Sequence, residues 1–335
     1  MCAVEYGWLV KELQALVGKR LSKISKLENA YRFHIGDADM VCQPPARMHV
    51  TKYIEESEDA DGFVEKARKE IKGMRLEGAG QVNNDRILML DFGECKLYFE
   101  MFAKGNLVLV KEGKTIAALR HEQWAGREIK PGREYGTPKP PATKLKDVIS
   151  DKYIIVSLLR LPIGKEYAEE LLARAGINEK TPGKSLSEKQ TGKLESELGK
   201  MMGEFSPHAF YEDGKAAAFG LIKFSKYSKL EARDFKTLSE AADEYYFANP
   251  MPAEEAGEME RLEARLAKQE EYLGQLRNEE KELKERGDFI YANYEEIEKI
   301  IKTASNCKPG EMEEKLSGYN AKYDKKEKKI EIEIQ

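Results

Sequence analysis

The sequence predicts an α+β fold built in three parts, on three observations. Short runs rich in apolar residues, bounded by Gly, Asp and Pro, fill most of the first third of the chain. Amphipathic helical patterns dominate after the Pro- and Gly-rich stretch Pro131–Lys144. A seam of Met and Leu at three- and four-residue steps occupies the region from Glu254 to Arg286. At 335 residues the chain also exceeds what one hydrophobic core usually supports, so more than one folded unit is expected.

The first element is an amphipathic helix between Tyr6 and Leu21, where Leu9, Val10, Leu13, Leu16 and Val17 share a face and Gly18 suits the C-cap region. Strand-like runs follow at Leu21–Lys26, Ala30–Ile35 and Met40–Cys42. They resume at Ile87–Phe92, Lys96–Phe102, Leu107–Val110 and Thr115–Leu119, a spacing that suggests an antiparallel sheet or sandwich. Between the two groups, Phe63, Ala67 and Ile71 place a helix over Gly62–Lys72. Helical patterns then cover Lys146–Leu159, Lys165–Ala175 and Ser187–Met202. Asp213-Gly214, between two apolar runs, signals a hairpin. In the seam, Met259, Leu262, Leu266, Leu273, Leu276 and Leu283 make a coiled-coil strand of roughly 50 Å. The expected units are 1–136, 145–250 and 254–335.

Composition narrows the function classes. With 56 basic and 60 acidic residues the net charge is -4, so any nucleic-acid binding has to come from local clusters. Cys2, Cys42, Cys95 and Cys307 form no CxxC pair, which argues against a zinc site or a disulfide framework and fits a reducing cytoplasm. The start MCAVEYGWLVKEL carries acids and a lysine where an export signal needs an unbroken apolar core, and no run reaches the length of a membrane span. A soluble, cytoplasmic protein is expected. His34, His49, His121 and His208 have no ligand spacing, and neither GxSxG nor GxxxxGK[ST] occurs. No catalytic residue, metal or cofactor is expected, and the chain reads as a binding protein rather than an enzyme.

Five segments hold candidate binding residues. In LRLPIGKEYAEELLARAGI, Pro162 and Gly164 form a turn that feeds a helix. Free N–H groups there, with Lys165 beside them, suit a phosphate. Spacing supports an ordinary helix corner equally. Gly164 and Ala168 keep the spacing of a helix-hairpin-helix turn, although one of that motif's glycines is missing. In RMHVTKY, Arg47 and His49 fall on one strand face, either a phosphate contact or a solvated sheet surface. Asp85-Arg86 opens a strand and by itself reads as a surface ion pair. Lys104, Gly105 and Asn106 read first as a hairpin turn, with Lys104 a possible backbone contact. From Lys215 to Lys236, lysines alternate with Phe219, Phe224, Tyr227 and Phe235. That pattern suits RNA, but more often it means rings in a core and solvated lysines.

Taken in order, WLVKELQALVGKRLSKI, RMHVTKY, NNDRILMLDF, MFAKGNLVLVKEGKTIAALR, REIKPGREY, LPIGKEYAEELLARAGI and DFIYANYEEIEKII resemble the NFACT family. These are the RqcH- and NEMF-like factors of ribosome-associated quality control, formerly named as fibronectin-binding protein A. The resemblance runs from about residue 4 to 302. It implies an N-terminal domain with the fold of the formamidopyrimidine-DNA glycosylase N-terminal region, then a helix-hairpin-helix domain and a coiled-coil middle region. It further implies binding to a large ribosomal subunit that carries peptidyl-tRNA. Such factors recruit tRNA so that the ribosome adds a tail without a template, and the factor itself makes no bond. The family's Asp-Arg pair falls on Asp85 and Arg86, and its N-terminal acidic residue on Glu5, where Asp is usual. The nucleic-acid-binding set expected is Glu5, Arg47, His49, Asp85, Arg86, Lys104, Asn106, Gly164 and Lys165. A DNA-binding or DNA-repair protein on the same fold is the alternative, but base excision of the glycosylase type uses an N-terminal proline followed by glutamate, where this chain has Met1, Cys2 and Ala3. The middle region is expected to be truncated before its returning helix, which would leave the seam from 259 to 283 able to self-associate.

Overall fold

The computed structural model describes residues 1–124, 126–250, 277, 280–307, 311–316, 318–319, 321–324 and 329–332. They belong to two compact units, Met1–Ala253 and Glu254–Gln335.

The first unit opens with α1 (Ala3–Leu13) and a single 3-10 turn, Gln14–Leu16. The helix is shorter than the spacing of its apolar residues suggested, because the chain turns at Gly18, at φ 87°, and Leu21 already begins a strand. Two antiparallel meanders follow. One runs β1 (Leu21–Lys26), β2 (Tyr31–Ile35), β3 (Ala38–Gln43), β4 (Arg47–Thr51). The other runs β5 (Gly78–Gln81), β6 (Ile87–Phe92), β7 (Cys95–Glu100), β8 (Asn106–Lys111), β9 (Lys114–Ala118). Helix α2 (Gly62–Ile71) lies between them in sequence. Asp61 caps it by accepting the Val64 N–H at 2.8 Å, and Phe63, Val64, Ala67 and Ile71 are buried along one face. Tyr6, Leu9 and Leu13 of α1 join both meanders and α2 in one core, where Phe33 meets Phe99 edge to face at 5.4 Å. A small hairpin, β10 (Glu122–Trp124) and β11 (Arg127–Ile129), closes this half. The buried Glu100 carboxylate holds it by accepting from Arg127 and from the Tyr135 hydroxyl.

The second half builds its own core from α3 (Leu145–Val148), α4 (Ile154–Leu158), α5 (Lys165–Ala175) and α6 (Glu188–Gly203). A three-stranded sheet, ordered β13 (Lys215–Gly220), β12 (His208–Glu212), β14 (Glu231–Asp234), and helix α7 (Leu238–Ala248) complete it. The single helix expected over Lys146–Leu159 is broken in two. The Ser150 carbonyl instead accepts the Lys184 N–H at 3.1 Å, and Gly183 approaches so closely that a Cβ there would sit 2.7 Å from that oxygen. The Asp213-Gly214 hairpin forms as expected, both residues having positive φ. Phe219 and Phe224 are buried in this core while Lys215 and Lys223 face solvent, so the rings of that stretch serve packing.

The two cores are joined through α1, α7 and β4. Glu12 of α1 caps α7: its carboxylate accepts the Leu238 N–H at 2.5 Å, the Ser239 N–H at 3.2 Å and the Ser239 hydroxyl at 2.7 Å. One turn on, Asp243 reaches β4 and its end. It accepts from His49 Nε2 at 2.9 Å, the Thr51 hydroxyl at 2.7 Å and the Lys52 N–H at 2.8 Å. Tyr246 stacks on His49 with ring centroids 5.7 Å apart. Burial lowers the pKa of His49 despite its carboxylate partner, so the imidazole is neutral. Burial alone would raise Asp243, but the three donors outweigh it and hold the carboxyl below its usual range.

In the second unit, α8 spans 280–292 and α9 is Tyr294–Ser305. A short α10 (Met312–Leu316) and the antiparallel pair β15 (Ala321–Asp324) and β16 (Lys329–Ile332) follow. Of the seam positions, those from Met259 to Leu276 lie outside the described residues, and Leu283 falls on α8 with 65% of its surface exposed. Among the described residues no helix is long and apolar enough to cross a membrane, and no group of three potential metal ligands occurs.

Two outcomes test the junction. Asp243→Ala strands the buried His49 N–H and the Lys52 amide, so the fold should be destabilised by about 2–3 kcal/mol, a drop of roughly 5–10 °C in Tm by calorimetry. Both native pKa values lie below their unfolded ones, so both groups stabilise the fold above those unfolded values and stop doing so as pH falls. His49 sets the upper window, opening below about pH 6.5. Thermal midpoints should therefore fall from pH 7 to pH 5, and fall less in His49→Gln.

Candidate nucleic-acid interface

Of the expected residues, Glu5, Asp85, Arg86, Gly164 and Lys165 lie around the first turn of α1. Glu5 is 5% exposed. Its Oε2 accepts the Cys2 N–H at 2.7 Å, satisfying an amide at the helix start, and its Oε1 accepts the Tyr167 hydroxyl at 3.1 Å. The same Tyr167 oxygen accepts the Leu221 N–H at 3.0 Å. Glu5 thus ties the N-terminus of α1 to α5 and to the end of β13. The chain start is held from another side, since the Met1 ammonium donates to the Ala46 carbonyl at 3.1 Å.

The Asp85-Arg86 pair stands next to this turn on the loop between β5 and β6. Asn83 and Asn84 both have positive φ and form a tight hairpin of the kind asparagine tolerates. The Asp85 carboxylate accepts the Arg86 N–H at 2.7 Å, fixing the loop backbone. Gln81 then bonds the loop to α1, donating to the carbonyls of Ala3 at 2.7 Å and Asp85 at 2.8 Å. Gly7 permits that approach: a Cβ there would lie 2.8 Å from the Gln81 amide oxygen. The Arg86 side chain is left exposed, with no ion-pair partner among the described residues. Neither β5, with its sequence GAGQ, nor the part played by Gln81 was legible in the sequence. A strand without bulky alternation gives no periodic signal.

Also beside the start of α1, Gly164 is the N-cap of α5. Its φ of 83° is one that only glycine adopts without strain, and a Cβ there would sit 2.6 Å from the Cys2 Cβ. No side chain caps α5, so the N–H groups of its first turn have no partner within the helix, and Lys165 beside them is exposed. A cavity of about 310 Å³ opens here, lined by Cys2, Glu5, Gly164, Lys165 and Tyr246 among others. The β7–β8 turn carries an exposed Lys104. Gly105 of that turn packs on Pro44, two residues before the Ala46 that receives the chain start.

Of the expected residues, Arg86, Lys104 and Lys165 are exposed, Asp85 orders one loop and Glu5 is buried. Two expected contacts are corrected. His49 is wholly buried against Asp243, on the inward face of β4, and cannot reach a ligand from there. Asn106 is 1% exposed, and its amide clasps the Arg120 backbone in both directions, at 2.8 and 3.0 Å. Arg47 is largely engaged within the protein: its Nε donates to Gln43 at 3.0 Å and its guanidinium lies 5.0 Å over the Tyr246 ring.

Comparison with known proteins fits this geometry to a family. Residues 8–335 match the NFACT N-terminal and middle domains. The archaeal Rqc2 homolog aRqcH of Methanocaldococcus jannaschii is 28% identical over 342 residues, 89% of this chain and 51% of that protein. Ribosome quality control complex subunit 2 of Saccharomyces cerevisiae is 33% identical over 141 residues, 37% of this chain and 14% of that one. The chain thus spans about half the length, or less, of these relatives. Among solved structures, the fibrinogen binding protein of Staphylococcus aureus shares the fold at a TM-score of 0.59 and 19% identity, over 73% of this chain and 98% of that one. The N-terminal part of the fibronectin/fibrinogen-binding protein of Streptococcus suis does so at 0.57 and 20%, over 74% and 99%. On the match across nearly all of its length, the chain belongs to the NFACT family.

Proposed function

We propose that this chain is an RNA-binding factor of ribosome-associated quality control, cytoplasmic and without catalytic groups of its own. In this reading it binds the large ribosomal subunit with its peptidyl-tRNA and recruits tRNA for template-free addition of a C-terminal tail. The names of the archaeal and yeast relatives support the setting. The observation that carries the reading is the grouping of exposed Arg86, Lys165 and the uncapped first turn of α5 around the start of α1. Backbone N–H groups at a helix N-terminus bind phosphate oxygens without regard to base, and flanking cations add charge-assisted contacts. Such a surface holds a folded RNA by its backbone, which is what an adaptor that leaves the chemistry to the ribosome requires.

The segment Leu161–Ala168 acts in this proposal as a helix-hairpin-helix phosphate site, with Gly164 as its N-cap. The seam from Met259 to Leu283 acts as a coiled coil, either within the middle region or between two copies. Sedimentation equilibrium distinguishes the two, since a monomer at high concentration rejects the second. Asp85 has no direct contact to make: its carboxylate presents Arg86.

The test is co-sedimentation with isolated large ribosomal subunits carrying peptidyl-tRNA, with duplex DNA as competitor. Asp85→Ala with Arg86→Ala should weaken binding about tenfold. It should also reduce the slope of log affinity against log salt by about one, as loss of one phosphate contact does. Binding unaffected by the double substitution removes Arg86 from the interface. Duplex DNA that binds tightly while subunits do not bind transfers the reading to a DNA-binding protein.

A further inference from the structure

A second surface lies away from the start of α5. Between β2–β4, the loop after β4 and the end of α7 is a groove of about 950 Å³, at the upper end of the range of about 300–1,000 Å³ usual for ligand sites. It has room for several side chains. Three large apolar groups are exposed on its wall: Tyr53 at 41%, Ile54 at 67% and Phe247 at 67%. Tyr53 and Phe247 stack with ring centroids 4.4 Å apart and planes 13° from parallel, forming one rigid aromatic plate in solvent. Isolated surface hydrophobics are ordinary, but three together on the rim of a groove are not.

The groove floor holds an unsatisfied donor. Arg32 is 8% exposed, and its Nε–H has no hydrogen-bond acceptor. The nearest carboxylate oxygen, on Asp39, is 3.7 Å away. A buried guanidinium N–H without an acceptor is costly, so Arg32 is an under-satisfied cation where it lines the groove. The rim is acidic. Glu28, Glu55, Glu56 and Glu58 all line it, with Glu55 3.6 Å from Arg47 and Glu58 2.9 Å from Lys26. Glu28 and Glu56 have no ion-pair partner among the described residues.

We propose that this groove binds an extended Lys/Arg-rich segment of a partner protein, independently of the RNA-facing surface. Each observed feature has a counterpart in such a ligand. A main-chain carbonyl of the segment accepts from the part of the Arg32 guanidinium that lines the groove. Its cationic side chains reach the rim glutamates and lie over the Tyr53–Phe247 plate, where cation–π attraction adds to apolar contact with their stems. A polyanion entering the same groove meets the four rim glutamates and Asp243 against two guanidinium groups, one of which is already beside Glu55. Charge therefore favours a basic protein segment over RNA.

The test measures fluorescence anisotropy of a labelled twelve-residue peptide of repeating Lys-Leu-Arg units, titrated with the full chain. Comparisons are a peptide with Glu in place of each Lys and Arg, and a twelve-nucleotide single-stranded RNA. The triple variant E55Q/E56Q/E58Q should weaken the basic peptide about tenfold, and Phe247→Ala about three- to fivefold, with 0.5 M salt weakening the wild type. All four positions are exposed, so unchanged thermal unfolding serves as the folding control. Equal peptide binding by wild type and either variant overturns the proposal. So does RNA binding that is lost in Phe247→Ala while peptide binding is kept, since the plate would then be a base-stacking site. Neither result bears on Asp85, Arg86 or subunit binding.

Discussion

The architecture depends on one buried carboxylate. Asp243 arrives on α7, late in the sequence, and takes three donors from β4 and the residues just after it, nearly two hundred positions earlier. A charge is not kept below the surface unless its hydrogen bonds are complete, and here all three donors are fixed by the strand and by the packed His49 ring. The bond is directional as well as strong. It sets the height of α7 on β4, while Glu12 sets its N-terminus against α1. With the start and the middle of α7 pinned, rotation of the second core against the first is opposed.

What that rigidity secures is the surroundings of α1. One face of α1 enters the first core through Tyr6, Leu9 and Leu13, and the other meets the second through Val4 and Trp8. Its first turn can then serve as a shared anchor. Gln81 draws the Asp85-Arg86 loop to the Ala3 carbonyl, and Glu5 draws Tyr167 of α5 to the same turn. Groups eighty residues apart in sequence, Arg86 and Lys165, flank one short stretch of helix. Preorganisation of this kind lowers the ordering cost of binding a large ligand.

Much of the α+β pattern was legible because its signals are local. The runs of β6–β9, the apolar face of α2 and the Asp213-Gly214 turn each declare themselves within ten residues. The candidate site was legible in composition but not in depth. Arg47 and His49 fall on one strand face by alternation, yet whether that face meets solvent or α7 depends on Asp243, which no local pattern ties to β4. Asn106 read as a turn residue and is instead a backbone clasp for Arg120, again a partner set by tertiary packing. The helix broken at Ser150 fails for the same reason, since its interruption is specified by Gly183, more than thirty residues on. Residues whose role is decided by distant partners give no periodic sign of it.

The central claim is that the surface around the start of α1 faces ribosomal or transfer RNA. Ultraviolet cross-linking of the chain to isolated large subunits carrying peptidyl-tRNA, followed by mass spectrometry of the RNA-linked peptides, tests it most directly. The account predicts cross-linked peptides spanning Asn84–Arg86 and Pro162–Tyr167. Cross-links confined to the groove beside Tyr53 and Phe247, or to residues after Ala253, with none at those two segments, would contradict it.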